Sequence, residues 1–75
     1  MRIKSLDLHG TRHMDVFRKV DMFIGESVIK GFNEVEIITG YSQEMKSLVN
    51  TVLDDYGLES EEDFLNKGKL IVKLI

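Results

Sequence analysis

Leu6-Asp7-Leu8-His9-Gly10 reads as the end of an apolar strand that carries a carboxylate and an imidazole two residues apart and is stopped by a glycine. Side chains alternate along a strand with a period of two, so Asp7 and His9 share one face. An acid and a near-neutral base then stand together at the lip of a sheet. Gly10 lets the chain turn out of the strand without a Cβ penalty, the usual hand-over from a parallel strand to a helix.

Outward from that stretch the elements alternate. The first strand is predicted over Ile3 to His9, with Lys4, Leu6 and Leu8 on one face and Ile3, Ser5, Asp7 and His9 on the other. Thr11 is placed to cap a helix reaching about Lys30, with Asp15 in its first turn, where the helix dipole favours negative charge. Val16, Phe17, Val20, Phe23, Ile24 and Val28 recur at three- and four-residue spacing and form one broad buried stripe. Gly25 inside this helix costs roughly 1 kcal/mol relative to alanine, so either packing needs a small residue there or the helix bends. Lys30-Gly31 is its stop signal.

Val35-Glu36-Ile37-Ile38, β-branched and bounded by Asn33 and Thr39-Gly40, is the second strand. Met45, Leu48, Val49, Val52, Leu53 and Tyr56 form the stripe of a second helix from Gln43 to Tyr56, with Ser42 as its cap and Gly57 as its stop. Glu59 to Leu65 is a weak, acidic edge strand. Asn66-Lys67-Gly68 is a hairpin loop with glycine at a position wanting positive φ, and Leu70 to Ile75 is a well-buried strand. The order is βαβαββ.

This order turns the opening stretch into a site. A right-handed βαβ crossover makes the first two strands parallel and brings their C-terminal ends to one edge, so His9-Gly10 and Thr39-Gly40 fall near each other. The second helix starts directly after Thr39-Gly40-Tyr41 and turns its free N–H groups and positive dipole end to that edge, a ready place for a phosphate. Ligands of open α/β sheets gather at the carboxyl ends of strands. Arg12, Tyr41, Ser42 and Lys46 line this edge, offering a guanidinium, a ring, a hydroxyl and an ammonium.

Composition bounds the rest. A chain of 75 residues is a single domain, 1–75, near the low end of what buries a self-sufficient core. With 43% apolar and 31% charged residues and no proline it is a folded globular chain rather than a linker. The absence of cysteine excludes disulfides and thiolate metal sites. No apolar run has the length of a signal peptide or a membrane span, and the expected location is cytoplasmic, with no membrane partner. The net charge of −3 is unevenly spread: six acidic and no basic residues lie between Asp54 and Asp63, which leaves seven acidic against ten basic residues elsewhere. Local sign steers an anion more than the sum does. The plainer reading of the acidic block is a solvated surface that keeps a small protein soluble.

The combination of Leu6-Asp7-Leu8-His9-Gly10, an amphipathic helix, Val35-Glu36-Ile37-Ile38-Thr39-Gly40 before a second helix, and a final Leu70-Ile71-Val72 strand resembles the Smr (small MutS-related) domain over essentially the whole chain. The resemblance implies a two-layer α/β (α+β) sandwich similar to the C-terminal domain of bacterial translation initiation factor three. Its four-stranded mixed sheet would carry two helices on one face. It further implies nucleic-acid binding (DNA or RNA) and DNA-nicking or RNA-cleaving endonuclease activity. Asp7 and His9 match the family's Asp and His as candidate catalytic residues. Gly10, Arg12, Thr39, Gly40, Tyr41, Ser42 and Lys46 are the candidate phosphate or nucleic-acid ligands. The family's glycine loop of the form His-Gly-x-Gly-x-Gly is altered: Thr39 opens it, Gly40 remains, and Ser42 and Glu44 replace the later glycines. Serine still caps a helix and donates a hydroxyl, whereas Glu44 repels a phosphate and Lys46 offsets it.

Each candidate has a second reading. His9 is a general acid or base, or a strand-end histidine bonded to a carbonyl. Asp7 orients that imidazole or positions a water, or fixes the loop by accepting backbone N–H bonds. His13 is a solvated first-turn residue before it is a second catalytic imidazole. Tyr41 stacks a base or packs on the sheet edge. Met14, Met22 and Met45 fit helix faces and call for no cofactor. No cofactor is expected; the alternative is a divalent ion held by Asp7 and His9 with water and phosphate completing the shell, a weak site because the protein supplies only two ligands. The rival to a nuclease is a binding or assembly module that keeps the fold without the chemistry, its partner a protein. The open face of the sheet, with Ile3 and Ile38, offers a weak homodimer as the alternative to a monomer.

Overall fold

The computed structural model of the chain describes residues 4–63 and 65–74. Ile3, Phe64 and Ile75, assigned above to the first, third and last strands, lie outside them. The elements are β1 (Lys4–Asp7), α1 (His13–Ile29), β2 (Glu34–Ile38), α2 (Gln43–Asp55), β3 (Ser60–Glu62) and β4 (Lys69–Lys73). They form a four-stranded mixed sheet of order β1-β2-β4-β3, with β1 parallel to β2 and β4 antiparallel to both β2 and β3. This is the small α/β architecture expected from the sequence.

The alternation of β-branched and charged residues decides which face is covered. Leu8, Val35, Ile37, Leu70 and Val72 are buried beneath Val16, Val20, Phe23 and Ile24 of α1 and Met45, Val49, Val52 and Leu53 of α2. Lys4 shares that face. Its ammonium lies 5.2 Å from the Phe23 ring centroid and pairs with Glu26 at 3.1 Å, so its stem covers apolar surface while its charge reaches the rim. Ser5, Asp7, Glu36, Ile38, Lys69 and Ile71 look out from the other face. Ser5 donates to Glu36, which also holds Lys69 at 3.4 Å. Among the described residues no helix is long and apolar enough to cross a membrane.

Several local expectations are corrected. Thr11 does not cap α1: the N-cap is Arg12, with no side-chain cap bond, because the turn out of β1 closes first through the Thr11 N–H donating to Leu8 O at 2.9 Å. Phe17 and Val28 stand 46% and 52% exposed, so the buried stripe of α1 is narrower than the one predicted. α1 runs unbroken through Gly25, and packing does not require a glycine there, since an added Cβ would meet only the Tyr56 hydroxyl, at 3.9 Å. The acidic edge strand shortens to Ser60–Glu62, tied to α2 by Ser60 donating to Asn50 at 2.7 Å. The other helix ends follow expectation. Ser42 Oγ accepts the Met45 N–H at 3.1 Å, and Gly31 and Gly57 follow the C-caps Lys30 and Tyr56.

Candidate functional site

The site begins where β1 stops. The strand ends at Asp7, and the Leu8 N–H still donates to Ile38 O at 2.9 Å, so His9 lies beyond the ladder in a turn with Gly10, whose φ is +78°. The strand alternation that paired Asp7 with His9 therefore does not reach His9. A different bond joins them: Asp7 Oδ1 accepts the backbone N–H of His9 at 2.8 Å. An aspartate at a strand end holding the amide two residues on is an Asx turn. It fixes the backbone under the imidazole while leaving the imidazole free, and His9 is exposed with no side-chain hydrogen bond among the described residues.

Beside it, β2 ends in a second turn. Gly40 takes φ +69°, a left-handed conformation that an L side chain adopts only with strain. The turn is clamped by the loop between β3 and β4. The N–H groups of Thr39 and Gly40 donate to Gly68 O at 2.8 and 3.0 Å, and the Thr39 hydroxyl, 4% exposed as a residue, donates to Gly40 O at 2.8 Å. Thr39 thus belongs to the scaffold of the edge, and its amide and that of Gly40 are spoken for. Gly68, expected from the sequence to need a positive φ, is instead a glycine of close approach: a Cβ there would lie 3.3 Å from Gly40 Cα and 3.1 Å from Asn66 Oδ1.

The free donors lie one step further on. The backbone N–H groups of Tyr41 and Ser42 have no partner among the described residues, and the first turn of α2 adds those of Gln43 and Glu44. The start of α1 reaches the same edge, because both helices follow the C-terminal ends of parallel strands. A contact of 3.0 Å between His13 Nδ1 and Glu44 Oε1 joins the two helix starts. Two positive dipole ends therefore face one side. Glu44, expected to repel an anion, is held by His13.

The cations divide differently from the expectation. Arg12 is exposed at the head of α1 and has no ion pair among the described residues. Lys46 is not available at the edge. Its residue is 5% exposed and its ammonium is held by Glu62 of β3 at 3.0 Å, because the first turn and a half of α2 directs it beneath the helix toward the sheet. Lys67 joins the edge without any sequence motif to announce it. It is exposed next to Gly68, free of ion pairs among the described residues, on the loop that clamps Gly40. Only the pairing of Gly68 with Gly40 brings it into the site. Tyr41 is 76% exposed and so does not pack on the sheet edge.

The residues that carry the free N–H donors, Tyr41 to Glu44, are all exposed. A concavity of about 410 Å³ lies at the other end, around Leu58, Ile71 and Lys73, and one of about 490 Å³ lies between the helices, around Phe17, Asp21, Val52 and Asp55. An exposed row of donors suits an extended anion better than an enclosed small molecule. Among the described residues no three imidazole or carboxylate groups converge as a cation site.

No curated protein and no solved structure gives a significant match to the chain. The model of one family, the Smr domain, matches residues 6–74, nearly the full length and every element from the Leu-Asp-Leu-His-Gly strand end to β4, and the chain belongs to that family.

Proposed function

We propose that this Smr domain binds the phosphate backbone of a nucleic acid along the edge formed by the ends of β1 and β2. The observation that carries the reading is the convergence of two helix N-termini on one open surface with exposed His9, Arg12, Tyr41 and Lys67. Phosphate oxygens take the free N–H groups of Tyr41 to Glu44 and the Ser42 hydroxyl, which caps the helix as an acceptor and keeps its proton to donate. Gly10 and Gly40 supply the turns that keep bulk off this surface. Arg12 and Lys67 add charge, and the Tyr41 ring offers a face to a base. Family membership supports the same class of ligand.

As an enzyme the domain hydrolyses a phosphodiester: a water oxygen bonds to phosphorus as the P–O bond to the leaving oxygen breaks, and that oxygen takes up a proton. His9 transfers the proton, Asp7 holds the backbone that carries it, and Arg12 with the start of α2 stabilises the charge developing on phosphorus. The second reading, binding without cleavage, draws on Glu44 in place of a loop glycine and on the Asp7 carboxylate being engaged by an amide rather than by the imidazole.

Fluorescence anisotropy with labelled single-stranded, duplex and structured DNA and RNA, over a salt series and beside a cleavage assay, tests both. Affinity falls steeply with salt, and Arg12→Ala and Lys67→Ala each weaken binding and reduce the salt slope by about one. Lys46→Met leaves the slope unchanged. Absence of affinity for every nucleic acid at low salt refutes the proposal. Cleavage that His9→Ala removes while binding stays establishes the enzyme, and binding without cleavage by either protein establishes the module.

A further inference from the structure

α1 turns an apolar face to solvent on the side opposite the core. Met14, Met22 and Ile29 are 78%, 64% and 87% exposed, and the half-exposed Phe17 and Val28 flank them. Gly25 lies in the middle of this stripe. Helix spacing puts Met14, Arg18, Met22, Gly25 and Ile29 on one side of a helix, while the polar Lys19, Glu26 and Lys30 fall on its flank. An outward face of a surface helix is normally polar, and a contiguous exposed apolar patch marks a contact. Gly25 is a second, separate sign. It costs the helix roughly 1 kcal/mol, and nothing within the fold requires it, since a methyl group added there would find its nearest neighbour, the Tyr56 hydroxyl, at an ordinary 3.9 Å. A glycine on an exposed helix face leaves a gap that a long side chain of another molecule can fill.

We infer that α1 is the interface of a weak two-fold homodimer, with the α1 helices of two copies packed antiparallel so that each Gly25 faces Arg18 of the other copy. Register and charge favour a second copy as the occupant. A two-fold axis passing between Asp21 and Met22 sets Met14 opposite Ile29 of the second copy and, with no further adjustment, sets Arg18 opposite its Gly25. The longest side chain on the stripe meets the residue with none. The concavity beside the stripe, lined by Phe17, Arg18, Asp21, Thr51, Val52 and Asp55, brings both signs of charge to the same patch. Asp21 and Asp55 are in no ion pair among the described residues, and Arg18, held only by a 3.4 Å contact to Asp15, is the cation within reach across the axis. Antiparallel helices also align opposite dipole ends.

The area sets the strength. The 17 residues of α1 run about 26 Å at 1.5 Å per residue, and a stripe about 10 Å wide offers on the order of 250–300 Å² per copy. With its flanks this stays under the ~800 Å² per partner of a standard interface. The dimer is therefore a weak one that dissociates on dilution. Antiparallel pairing leaves the edge carrying His9 exposed at both ends of the assembly.

Sedimentation equilibrium of the full chain from about 10 µM to 1 mM, concentrations at which weak pairs form and dissociate, reads the inference directly. The average mass rises from 8.6 kDa toward twice that value. Gly25→Gln, which suits a helix yet fills the gap, and Met22→Glu each raise the dissociation constant at least tenfold while circular dichroism stays native. Arg18→Glu weakens association, and adding Asp21→Arg restores it in part. A chain that keeps a mass of 8.6 kDa throughout overturns the inference. So does a dimer that survives both Gly25→Gln and Met22→Glu, or one that Ile71→Glu on the open sheet face abolishes instead.

Discussion

At Asp7 the side chain has a defined occupation, the amide of His9 at 2.8 Å, and this decides what a substitution there does. Asp7→Ala removes the acceptor and lowers stability by about 1 kcal/mol, as loss of a hydrogen bond to a charged group at an exposed site does. Asp7→Asn keeps an oxygen in place and stays within about 0.5 kcal/mol of the native value. Chemical denaturation of the two variants side by side checks the pair. Equal losses would remove the Asx turn as the source of the effect. Tyr56 gives a pH-dependent counterpart. Its hydroxyl donates to Asp21 Oδ1 at 2.5 Å, and that hydrogen bond, with lesser help from burial and from the negative charge of Asp21, raises its pKa above the ordinary 10.0. The protonated phenol is the form favoured by folding. Its stabilisation is therefore full below the ordinary value and is lost as pH rises through the folded one. Ultraviolet titration of phenolate in a Tyr41→Phe background sees Tyr56 alone, and Asp21→Asn moves that titration to lower pH.

Among the elements, the loop joining β3 to β4 shows most clearly how a segment far away in sequence builds the edge. Gly68 O receives two backbone N–H groups from the end of β2, and the approach leaves no room for a methyl group, with Gly40 Cα at 3.3 Å. Asn66 has a rotatable side chain and gives way, whereas Gly40 is held by its own bonds to Gly68 and does not. Gly68→Ala is expected to cost roughly 1–2 kcal/mol by overpacking and to weaken phosphate binding as the Gly40 turn shifts. Thermal unfolding and the anisotropy assay measure the two effects, and a fully native stability would mean that the clamp is slack. The same contact places Lys67 in the site, while the packing of α2 on the sheet withdraws Lys46 into its pair with Glu62.

On the scale of the whole molecule, α2 runs from the candidate edge to an acidic end. The edge carrying both helix starts presents Arg12 and Lys67, whereas the far end carries Asp54 and Asp55 in the last turn of α2, where no basic residue offsets the negative end of the dipole. Carboxylates are disfavoured there by about 0.3–1 kcal/mol each. The double variant Asp54→Asn, Asp55→Asn is therefore expected to raise stability by about 0.5–1 kcal/mol in low salt and to leave the salt slope of the proposed nucleic-acid binding unchanged, because those groups sit opposite the proposed phosphate edge. A change in that slope would move the binding surface to the acidic pole.

The order βαβαββ, the covered face of the sheet, the Ser42 cap and the location of the candidate site are all legible in the sequence. Each rests on a local rule: a period of two or of 3.6, a hydroxyl before a helix, and a handed crossover that brings two strand ends together. The rest is decided between segments far apart in the chain. The bond from Asp7 to the His9 amide depends on where β1 leaves its ladder with β2, and the engagement of Thr39 and Gly40 depends on the carbonyl of Gly68, on a loop two elements further along the chain. The burial of Lys46 depends on Glu62 across the helix–sheet interface, and the exposure of Met14, Met22 and Ile29 depends on which side of α1 the core takes. A residue type and its spacing state what a side chain offers. Only the tertiary packing determines whether that offer is already taken, because hydrogen bonds and burial are shared with partners that the local sequence does not contain.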